Sequence, residues 1–68
     1  MTSIAKELLK KLSSSYDNTR KNDFDFSFYI GYPESVIDEL VHEGCIVKQT
    51  DIVGTIKLTE FGYDEAKK

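Results

Sequence analysis

The chain has 68 residues, of which 40% are apolar and 31% charged, and its twelve acidic residues against nine basic ones give a formal charge of −3. That length makes a single domain over residues 1–68, with the composition of a soluble globular protein. The acidic balance does not suggest a strong nucleic-acid binder, for which a basic footprint is expected, and no apolar run approaches the roughly 18 residues that span a bilayer.

A domain this small buries only about 60% of the surface its unfolded chain exposes, so marginal stability is expected. One cysteine, Cys45, cannot form an internal disulfide. A homodimer is one way to add burial. Lys6, Lys10 and Lys11 interrupt the N-terminal apolar positions, so no signal-peptide core is expected there. With a lone thiol, cytoplasmic residence is the simplest expectation.

Residues 3–15 have the period of an amphipathic helix. Ser3 is positioned to cap it, and Ile4, Leu8, Leu9 and Leu12 form one apolar stripe that Tyr16 extends. Residues 13–22 are polar and without period, and read as a loop. Residues 23–30 alternate strictly, with Phe24, Phe26, Phe28 and Ile30 on one side. This predicts a strand over about 24–29 whose phenylalanines enter the core. Phe26, central in that run, is expected to be buried, and its truncation to alanine to cost about 3–5 kcal/mol.

Gly31 and Pro33 break the strand. Val36, Ile37, Leu40 and Val41 then mark a second helix from Pro33 or Ser35 to about Glu43, with Ser35 and Asp38 as a weak capping box. Gly44 stops it. Residues 46–50 and 55–58 predict two strands of a hairpin, with Gly54 in the turn. Ile52 and Val53 near its tip are unusually apolar. Thr59 caps a last helix over residues 60–66, where Glu60 suits the first turn. The expected fold is α+β, in the order α-β-α-β-β-α, with a three-stranded antiparallel sheet.

Few residues suggest chemistry. His42 and Cys45 are three apart, but a zinc site needs four ligands and the sequence has no other cysteine or histidine. Asp23 and Asp25 are too few for a hard cation. The glycines are scattered at element ends and form no phosphate loop. No enzyme, metal or cofactor is expected.

Two stretches carry a resemblance. Leu40, Gly44, Cys45 and Ile46 fit the L-x-x-x-G-h-I exit (h apolar) from the recognition helix of winged-helix regulators. Leu58, Thr59 and Gly62 fit the L-T-x-x-G that follows the wing in MarR-type and PadR-type repressors. The second half of the chain thus resembles the C-terminal half of such domains. The resemblance implies a winged-helix-like fold whose usual second helix is missing or reduced, because only residues 29–32 separate the first strand from Pro33. It also implies a DNA-binding transcriptional regulator.

The residues suited to DNA are Lys48 and Lys57 on the hairpin, with Arg20 and Lys21 in the loop. Lys6, Lys10 and Lys11 are further candidates. Lys48 and Lys57 are expected on one solvent face of the ribbon. However, the helix in the recognition position carries Glu34, Asp38, Glu39 and Glu43 and no cation, whereas base and phosphate contacts rely on Arg, Lys, Asn and Gln. The alternative is protein–protein interaction, through Tyr29, Tyr32, Ile52, Val53, Phe61 and Tyr63 beside that acidic helix.

Overall fold

The structure is a computed structural model that describes residues 1–49, 51 and 54–68. These form helices α1 (Ser3–Thr19), α2 (Phe26–Tyr29), α3 (Glu34–His42) and α4 (Glu60–Ala66), and strands β1 (Asp23–Phe24), β2 (Ile46–Lys48) and β3 (Ile56–Leu58). The fold is α+β with a three-stranded antiparallel sheet in the order β1-β3-β2. Its core is one cluster, drawn from α1 (Ala5, Leu8, Leu9, Leu12), α3 (Val36, Ile37, Leu40) and the sheet (Phe24, Ile46, Ile56, Leu58).

Helix α1 begins at Ser3 as expected, but it is capped one residue earlier and ends later. Its cap is Thr2, not Ser3: the Thr2 hydroxyl accepts from the Ala5 N–H at 3.3 Å. The serines do not end it, because Ser13 stands one turn beyond Leu9 on the inward stripe and is buried. The helix stops where Arg20 takes a left-handed conformation (φ 63°) and its N–H returns to the Tyr16 carbonyl. Ile4, expected on the stripe, is exposed, and Ala5 packs inward in its place.

The phenylalanine run differs most from expectation. Only Asp23 and Phe24 pair as strand, and from Phe26 the chain makes a single helical turn. The Phe28 N–H bonds to the Asp25 carbonyl at 3.1 Å, and the Ser27 hydroxyl to the Asp25 carboxylate at 2.6 Å. Phe24 and Phe28 are also i, i+4, and their rings meet with centroids 4.8 Å apart. With a helical period, Tyr29 is buried and Phe26 and Ile30 face solvent. The observed order is therefore α-β-α-α-β-β-α, with a helical turn of four residues, α2, between β1 and α3.

Helix α3 begins after Pro33 without a side-chain cap, so the Ser35–Asp38 box does not form. It closes with a Schellman arrangement: Gly44 N–H to the Val41 carbonyl, Cys45 N–H to the Leu40 carbonyl, and Gly44 at φ 81°. The left-handed residue turns the chain sharply into β2. Thr50, placed in the expected strand, lies outside the described residues, as do Ile52 and Val53. Thr59 caps α4 as expected, accepting from the Gly62 N–H at 2.9 Å.

Candidate interaction surfaces

The solvent face of α3 is acidic. Val36, Ile37 and Leu40 point inward, so Ser35, Asp38 and His42 point out, flanked by Glu34, Glu39 and Glu43. The Glu39 carboxylate is occupied: it accepts from the Thr2 N–H at 2.7 Å and from the Thr2 hydroxyl at 2.9 Å. Those two hydrogen bonds hold its pKa below the usual carboxylate range. Glu34 and Asp38 remain open, with side chains 83% and 63% exposed.

One lysine reaches these two acids. Lys48 Nζ lies 3.3 Å from Asp38 Oδ1 and 3.7 Å from Glu34 Oε1. The hydrogen bond and charge of Asp38 raise its pKa. The strand register explains the contact. Lys48 pairs with Ile56, so it shares the side of the sheet that carries Ile46 and Phe24 and that α3 packs against.

Lys57 pairs with Val47 and Asp23 on the opposite side. The expectation that Lys48 and Lys57 share a solvent face is thus corrected. Lys48 stands two residues from Ile46, and the pleat sends both the same way.

The other basic residues are dispersed. Arg20 lies over the Tyr16 ring, 5.9 Å from its centroid, and Lys21 follows it in the exposed link to β1. Lys11 bonds to the Phe28 carbonyl at 3.3 Å and stands over the rings of Phe28 and Tyr32 at 5.0 and 5.6 Å. Lys67 is paired with Asp17 at 2.8 Å. Lys6 and Lys10 share a cleft with Glu43 and Glu65.

The aromatic candidates separate as well. Tyr29 is buried, its hydroxyl donating to the Gly54 carbonyl, and burial pushes its pKa up. It is a structural tie between α2 and the hairpin, not an exposed contact. Tyr32 is half-buried under Lys11. Tyr63 is half-buried and meets Tyr16 edge-on, 5.2 Å between centroids, while donating to Asp17. Phe61 is 52% exposed. The sequence reading missed Phe26 and Ile30, which are 54% and 64% exposed, because the run fits period two as well as helical spacing.

Cys45 is fully buried, and burial raises its thiol pKa; His42 is exposed. Among the described residues no group of His, Cys, Asp and Glu is arranged to hold a metal ion, and no helix is long and apolar enough to cross a membrane. Compared with family models, curated proteins and solved structures, the chain matches none significantly.

Proposed function

We propose that this chain is a winged-helix-like, non-enzymatic cytoplasmic module that docks a protein partner on the solvent face of α3 rather than reading duplex DNA. Support for the winged-helix part comes from the element order: the short α2 stands between β1 and α3, where that family has its second helix. Support for a protein partner comes from one observation above all. The face in the recognition position presents carboxylates and no cation, and the lysine nearest to it, Lys48, is already paired with Glu34 and Asp38. Such a face repels phosphates and attracts cationic protein surface. The DNA alternative rests on Lys57, Arg20 and Lys21, on the other side of the sheet from Lys48 and in the link to β1.

The test is an anisotropy titration of a labelled mixed-sequence duplex at two salt concentrations, with wild type and Lys57→Glu. Weak association, unchanged by the substitution, is expected. Tight binding that falls steeply with salt, with a slope reduced by about one unit in the variant, would overturn the reading in favour of DNA.

A further inference from the structure

Resting on that reading, we infer that the cleft between α2, the start of α3 and the root of the β2–β3 hairpin receives an apolar side chain of a basic peptide segment. The cleft measures about 420 Å³, within the range of ligand-binding pockets. Tyr29, Ile37 and Ile56 form its apolar lining, Phe26 contributes a half-exposed ring, and Glu34 and Lys48 bring charge to it.

Two contacts tie its walls together. The Tyr29 hydroxyl holds the Gly54 carbonyl, and the Phe26 ring packs edge-on against Tyr29, with centroids 5.6 Å apart. Gly54 is packed against Phe26, since a Cβ there would lie 3.2 Å from the Cβ of Phe26. A large aromatic held in place yet left 54% exposed beside an apolar lining is the kind of anchor that interfaces use.

The charge beside the cleft selects the partner. Lys48 is an internal stand-in for a ligand cation: its ammonium already sits within 4.0 Å of both Glu34 and Asp38. Those carboxylates keep most of their surface in water, with side chains 83% and 63% exposed. A lysine or arginine of a partner can therefore join Lys48 on the same acids while its apolar neighbour enters the cleft. An acidic or phosphorylated segment would meet repulsion there, and the net charge of −3 steers basic segments toward the domain.

The experiment titrates the whole chain, labelled with nitrogen-15, with a short synthetic peptide alternating lysine and leucine, and with the same peptide carrying serine for leucine. The lysine–leucine peptide should bind about tenfold more tightly and shift the amides of Phe26, Tyr29, Glu34 and Ile56. Phe26→Ala and Glu34→Lys should each weaken it about tenfold. Both positions are exposed, and Glu34→Lys leaves the apolar part of the lining intact, so the test stands even if Phe26→Ala perturbs the fold.

Equal binding of the two peptides, shifts located elsewhere, or no binding would overturn the inference. So would concentration-dependent self-association that shifts the same amides, which would assign the cleft to a second copy. Failure here with no DNA binding in the duplex titration overturns the inference alone. Tight salt-dependent DNA binding overturns the partner reading beneath it.

Discussion

Gly62 lies so close to Cys45 that a Cβ at position 62 would stand 2.1 Å from the Cys45 carbonyl oxygen. The contact joins the first turn of α4 to the turn between α3 and β2. Alanine is the better helix former by about 1 kcal/mol, so propensity alone favours Gly62→Ala. The obstacle is backbone and cannot rotate away. Gly62→Ala should therefore destabilise the domain by about 2–3 kcal/mol in urea unfolding. A neutral or stabilising result would show that α4 is not docked this closely.

Thr59 works on the same junction. Its hydroxyl accepts from the Gly62 N–H and lies 2.7 and 2.9 Å from the carbonyls of Gly44 and Cys45. Thr59→Ala removes both the cap and the tie, and should cost about 1–2 kcal/mol. Thr59→Ser keeps the oxygen and should recover most of that loss. Equal unfolding midpoints for the two variants would mean that the methyl group, not the hydroxyl, matters.

Asp17 joins α1 to α4 by accepting from Lys67 and Tyr63. The Lys67 hydrogen bond, then that of Tyr63, lowers its pKa from an ordinary 3.8. A lowered folded-state pKa contributes stability that is present above 3.8 and is lost as pH falls through the folded value. Urea titrations from neutral to acid pH should show wild type losing more stability than Asp17→Asn. Glu39, shifted the same way, should leave the variant some acid sensitivity. Parallel curves for the two proteins would exclude a contribution from the Asp17 clamp.

Phe26 and Tyr29 exchange the roles that strict alternation assigns them. With Phe26 54% exposed, Phe26→Ala should cost less than about 1 kcal/mol, not the 3–5 of a core aromatic. Tyr29→Ala should cost about 3 kcal/mol or more, since it empties a buried site and frees the Gly54 carbonyl. The reverse ranking in thermal or urea unfolding would restore the strand.

These residues also show what was legible in the sequence. Thr59 could be read because a cap is a local demand on residue type, whereas the close approach of Gly62 to Cys45 is a tertiary contact that no local signal carries. Helices α3 and α4 followed from their apolar spacing and flanking residues. Residues 24–29 satisfy period two and helical spacing at once, and a run that short contains nothing to separate them. Burial of Tyr29 against the hairpin, a tertiary contact, accompanies the helical choice. At Lys48 the alternation was legible but assigned to the wrong side, since a residue two places from Ile46 shares its face. Its acidic partners lie on α3, ten and fourteen residues earlier, and only the fold brings them together.

Cys45, the chain's one thiol, has no exposed surface and lies beneath the α4 junction. A thiol reagent can reach it only when the packing around it opens, and because its backbone meets Gly62 the labelling rate is a clock for opening near α4. Labelling should proceed at a rate set by the opening equilibrium multiplied by the intrinsic thiol rate, and should accelerate in Thr59→Ala. Local opening would label Cys45 under conditions where the rest of the domain stays folded, distinguishing a detachable C-terminal helix from a domain that unfolds as one unit.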